Sequence, residues 1–109
     1  MKKLLIVLLV LVIGPSLSAA SEQGESIFKS QGCTACHRAE SSSKVNPSLT
    51  EIARAYSGKT DQLIRYLNGE TEAIVKPQKS SMMKRYLQRT QKLSEAERQA
   101  LAGFIMSHQ

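Results

Sequence analysis

The sequence predicts an all-α fold, on three observations. Apolar residues recur at three- and four-residue spacing in separate segments, capping residues and glycines punctuate those segments, and no stretch alternates apolar with polar at strand period.

The first helix is predicted within residues 21–31, which are polar apart from Ile27 and Phe28, with Ser21 placed to cap it and Gly32 where helices end. The serine-rich piece Glu40 to Lys44 reads as a surface loop, and Ser41, Ser42 and Ser43 suggest no chemistry of their own. Pro47 and Ser48 then open a second helix. Ser48 and Glu51 have capping-box spacing, Leu49, Ile52, Ala53 and Tyr56 share a face, and Gly58 closes the element. Thr60 is placed to cap a third helix, where Leu63, Ile64 and Leu67 share a face ahead of Asn68 and Gly69. From Val75 to Lys92 the helical period is lost, Pro77 interrupts, and Lys76, Lys79, Lys84, Arg85, Arg89 and Lys92 occur without an acid, which predicts a long basic loop. Ser94 and Glu97 form a second capping-box pair, and Ala100, Leu101, Phe104 and Ile105 stripe a final helix.

Ahead of these elements, Lys2 and Lys3, the apolar run Leu4 to Ile13 and the small residues Ser18, Ala19 and Ala20 have the order of a secretory signal peptide. Residues 1–20 are therefore expected to be removed, leaving 21–109 as one periplasmic domain. Gly14 and Pro15 end the apolar run well short of the roughly 20 residues of a membrane span, and no cysteine follows it. No lasting membrane anchor is expected.

With no Trp, two Phe and three Tyr, the expected mature chain has little large apolar mass to bury, and chains of this size usually need a cofactor, metal or disulfide. A disulfide between Cys33 and Cys36 would close too short a loop to help. Net charge is +6, falling to +4 without Lys2 and Lys3, which suits an acidic partner surface. Nucleic acid is not an expected partner of an exported chain.

The chemistry lies in Cys33-Thr34-Ala35-Cys36-His37, the CxxCH arrangement of covalent haem attachment. Two residues between the thiols set both sulfurs along one porphyrin edge, where each bonds a vinyl group, and the next residue brings an imidazole under the iron. A zinc site would need two more ligands, and His108 is the one other candidate. A thioredoxin-like CxxC would need strands, and a plain disulfide leaves His37 idle.

Gly24, Ile27, Phe28, Gly32, Cys33, Cys36 and His37, followed by Pro47, Leu49, Ile52, Tyr56 and Gly58, resemble the small bacterial class I cytochromes c. The likeness covers essentially the whole mature chain and is strongest at 28–37 and 93–105. It implies a cytochrome c-like fold in which short helices wrap one covalently attached haem c and the N-terminal helix crosses the C-terminal one. It also implies His37 as proximal ligand and a Met from a late loop as sixth ligand. Aligning the family's Met points to Met83, with Met82 as second choice, although Arg85 stands where Pro is common. Met106, on the last helix, reads as a core or surface residue. Pro47 matches the proline whose carbonyl accepts a hydrogen bond from the proximal imidazole, and Asn46 stands where Gly is usual. The expected haem pocket adds Ile52, Tyr56, Leu63, Leu67, Ile74 and Leu101.

An iron held on both sides has no open position for substrate, and no second acid-base cluster is visible. The expectation is therefore a monomeric periplasmic one-electron carrier rather than an enzyme, docking acidic redox partners through Lys76, Lys79, Lys84, Arg85, Arg89 and Lys92. A haem subunit of a larger periplasmic oxidoreductase, or a haem-based ligand sensor or peroxidase with a displaceable Met, would carry the same motif, and these alternatives stay open.

Overall fold

The computed structural model describes residues 17–109, so the expected signal peptide lies outside the described residues as far as position 16. The elements are α1 (Leu17–Ser30), α2 (Leu49–Ala55), α3 (Thr60–Leu67), α4 (Met83–Thr90) and α5 (Glu95–Met106), with 3-10 turns over Cys33–Ala35 and Pro77–Met82. Among the described residues there is no strand, and no helix is long and apolar enough to cross a membrane.

The fold is organised around the crossing of α1 and α5, its most extensive helix contact. Glycine at position 24 permits that crossing. A Cβ placed on Gly24 would lie 2.2 Å from the Ala100 carbonyl oxygen and 2.6 Å from the Phe104 Cβ, so the backbones approach closer than any side chain allows. One turn on, Phe28 meets Phe104 at 5.4 Å between ring centroids, tilted by 54°, a favoured aromatic geometry. Ile27, Leu101, Ala102 and Ile105 bury beside them, and the core continues through Leu49, Tyr56, Leu63 and Leu67 of the α2 and α3 region. Both helices pack on α5.

The capping serines behave differently at their two sites. Ser94 accepts from the Glu97 amide at 3.1 Å while the Glu97 carboxylate accepts from the Ser94 amide at 3.0 Å, a complete capping box on α5. These hydrogen bonds hold the Glu97 carboxyl below its ordinary range. At α2, Ser48 accepts from the Glu51 amide at 3.1 Å, but the Glu51 carboxylate does not return to the Ser48 amide. That amide donates instead to the Ser42 hydroxyl at 3.0 Å.

Three local expectations need correction. Helix α1 already includes Leu17, the first described residue, and runs through the expected cap at Ser21 without a break. Thr60 is the first residue of α3 rather than its cap; Lys59 precedes it without a side-chain cap, its amide bonded to the Tyr56 carbonyl at 2.7 Å.

The third correction is the largest. The basic stretch after Val75 is a 3-10 turn followed by helix α4, not a loop. Pro77 occupies the first position of the turn, where a missing N–H does no harm, and Met83, Tyr86, Leu87 and Thr90 recur at helical spacing. The buried Thr90 hydroxyl donates to the Leu67 carbonyl at 2.5 Å, fastening α4 to the end of α3. Arg98 on α5 donates to the carbonyls of Thr90, Gln91 and Leu93, which satisfies the end of α4.

Gly24→Ala is expected to destabilise the holoprotein by about 2–3 kcal/mol, the scale of overpacking against backbone, measured by denaturant unfolding. Gly103→Ala, whose new methyl meets nothing within 4 Å, should leave stability unchanged or raise it by up to about 1 kcal/mol.

Candidate haem site

The α1/α5 crossing delivers the motif to a cavity. Helix α1 ends at Ser30, Gly32 takes the left-handed conformation at φ +80°, and the chain turns into Cys33–Ala35. A hydrogen bond from the His37 amide to the Cys33 carbonyl, 2.9 Å, closes that turn. Cys33, Cys36 and His37 thereby line one cavity of about 1100 Å³, part of it open to solvent.

The other walls come from every helix. Ile52 and Tyr56 approach from the α2 region, Leu63 and Leu67 from α3, and Leu101 from α5; Pro47 lies on the entry to α2. Met82 and Met83 both reach the cavity from the junction of the second 3-10 turn with α4. Met83 is half-buried as the first residue of α4, whereas Met82 is 61% exposed.

Ile74 does not join them. Its side chain is exposed and its neighbours Ala73 and Val75 line the cavity instead. Ile74 acts through its backbone, which opposes the rise that burial causes in the Tyr56 hydroxyl. Sequence reading also missed Tyr66 and Tyr86 on the walls. Tyr86 carried a signal in its spacing to Met83 and Thr90, while Tyr66 lies off the apolar stripe of α3 and carried none.

His37 is oriented before any partner arrives. Its Nδ1 lies 2.7 Å from the Pro47 carbonyl oxygen. A carbonyl can only accept, so Nδ1 carries the proton, and Nε2 is the ring nitrogen left to face a ligand. Asn46 does not need the freedom of the glycine usual at this place, because its φ is negative. Its amide donates to the Ser43 hydroxyl and its carbonyl accepts from the Ser43 amide, both at 2.9 Å, and so hold the turn that presents Pro47.

The walls favour uncharged groups. Cys33 and Cys36 are free thiols, and burial pushes the Cys33 thiol up to about 11, against hydrogen bonding to its own backbone and the pull of Arg89. Burial also raises the Tyr56 hydroxyl, and pushes Tyr66 up to about 12 with help from Tyr56 and Glu72. A sulfur in a thioether has no charge to desolvate, so this wall accommodates it better than a thiolate.

Lys79, Lys84, Arg85, Arg89 and Lys92 are exposed, and two of the six cations also make contacts within the fold. Arg89 lies 5.2 Å from the centroid of the Tyr86 ring and donates to the Gln31 carbonyl at 3.4 Å, while Lys76 is half-buried and hydrogen bonded.

The profile described as Cytochrome c matches residues 21–109. The chain belongs to the cytochrome c family. Cytochrome c-551 of Azotobacter vinelandii is 31% identical over 87 residues, which are 80% of this chain and 99% of that protein. Cytochromes c carry a covalently attached haem c, and Cys33 and Cys36 fit the attachment motif within this chain. The observations on the cavity fit that group: two thiols and an oriented imidazole lie on one wall, and the remaining walls are mostly apolar, with Lys76 and Lys79 also in the lining. When bound, the group supplies an iron that gains and loses one electron.

Replacing Cys33 and Cys36 together by Ser should abolish covalent haem, seen as loss of haem staining on a denaturing gel. His37→Ala should reduce accumulation of holoprotein at least tenfold, read from the absorbance of exported protein.

Proposed function

We propose that this cytochrome c is a periplasmic one-electron carrier, not an enzyme, with His37 and Met83 as the axial ligands of its haem iron. The observation carrying this reading is the His37 to Pro47 hydrogen bond, which leaves Nε2 as the ligating atom of a side chain that lines the same cavity as two thioethers. A soft thioether opposite an imidazole favours ferrous iron and raises the potential. Met83 is preferred because it is the more covered of the pair and helix α4 holds its backbone.

Filled axial positions restrict the iron to electron exchange. The residues then have simple duties: Cys33 and Cys36 hold the group, Pro47 holds the imidazole, and the apolar walls exclude water. Export to the periplasm is supported by the order of residues 1–20, and the family match beginning at residue 21 agrees with cleavage there.

Docking to acidic redox partners is supported by the placement of charge. Lys84 and Arg85 lie in the first turn of α4 with their side chains exposed. Lys79 and Lys92 extend the same exposed basic surface.

Carbon monoxide tests the ligation. The reduced wild type should bind it slowly and incompletely, Met83→Ala should bind it rapidly and completely, and Met82→Ala should resemble the wild type. Rapid binding by Met82→Ala alone would move the ligand by one residue. Neutralising Lys84, Arg85 and Lys92 together should slow electron exchange with an acidic partner about tenfold at low ionic strength, and far less near 1 M salt, where the Debye length is about 3 Å. An equal effect at both salt levels removes the docking role.

A further inference from the structure

Apart from the iron ligands, one polar cluster ties the methionine-bearing segment to the wall that holds His37. Lys76 Nζ donates to the Ser43 carbonyl at 2.5 Å and lies 3.6 Å from Glu51 Oε2. The same Glu51 oxygen accepts from the Ser42 hydroxyl at 2.6 Å, and Ser42 in turn accepts from the Ser48 amide at 3.0 Å. Ser43 bonds Asn46 on both its amide and its hydroxyl, next to Pro47.

Two independent features single this cluster out. Glu51 forgoes the second half of a capping box that its sequence spacing allows and that Glu97 completes on α5. Lys76 is the one non-glycine residue with positive φ among the described residues, at +45°, immediately before the turn that leads to Met82 and Met83. A local preference is given up on each side of the contact, and both concessions bring the two side chains together.

We propose that Glu51 and Lys76 form a clasp that positions the 76–83 segment against the cavity, Lys76 acting as a positioning residue for the methionine ligand. The proposal rests on the His37/Met83 reading. Residues 42–48 present the Pro47 carbonyl to His37, and the turn after Lys76 presents the methionines, so a single ion-paired contact sets the spacing between the two supports. Opening it leaves Met83 attached to the fold through α4 at one end only and frees the preceding turn, Met82 included, to move away from the cavity.

The test uses haem-loaded protein and the rate of carbon monoxide binding to its reduced form, with unfolding temperature recorded in parallel. Glu51→Gln and Lys76→Met should each raise the rate at least tenfold, and the double variant should match the faster single one rather than multiply the two effects. Lys76→Gly, which relieves the left-handed backbone while removing the side chain, should raise the rate as Lys76→Met does even where it unfolds at a higher temperature. Wild-type rates in the single variants, or multiplying effects in the double one, overturn the clasp while leaving the ligation intact. Rapid and complete binding by the wild type overturns the ligation reading, and the clasp with it.

Discussion

The arrangement of this protein depends on the contact between two backbones at Gly24. Helix α1 can lie close on α5 because position 24 has no side chain, and the Phe28 to Phe104 pair then locks the angle one turn later. The rigid helix runs to within three residues of Cys33, so the crossing sets where the thiols stand. The same α5 supplies Leu101 to the cavity wall. In a domain too small for a large apolar core, one contact thus builds half the core and aims the motif.

The cavity separates two electrostatic regimes. Inside, burial favours the protonated forms of Cys33, Tyr56 and Tyr66, and the His37 Nδ1 proton is committed to the Pro47 carbonyl. Outside, Lys79, Lys84, Arg85, Arg89 and Lys92 face water along the 79–92 surface. Arg89 and Lys76 also serve the fold: one lies over Tyr86 and bonds the turn before Cys33, the other joins two segments of the cavity rim. Composition alone does not distinguish the cations the fold uses from those it leaves to water.

Much of this was legible in the residues. Helices α2, α3 and α5 follow from apolar spacing and from caps, both short-range signals, and the CxxCH turn follows from five consecutive residues. Helix α4 was hidden because Pro77 and the run of cations mask the spacing of Met83, Tyr86, Leu87 and Thr90, and because its C-terminal end is tied to distant residues, Leu67 and Arg98. Ile74 was misplaced for a related reason, since a segment without a period has no face to read. Ser48 and Ser94 show the limit most clearly. Their four-residue signatures have the same form, yet only one becomes a full capping box, because Ser42 and Lys76 compete for Glu51 and neither competitor is close in sequence.

A hollow lined by Leu63, Leu67 and Leu101 also makes the bare polypeptide chemically conspicuous. Until the pigment is installed, these leucines face solvent or one another imperfectly, and the polypeptide spends more of its time open. Proteolysis of transiently opened chains follows that open population. Resistance to proteolysis thus becomes a measure of completed haem attachment.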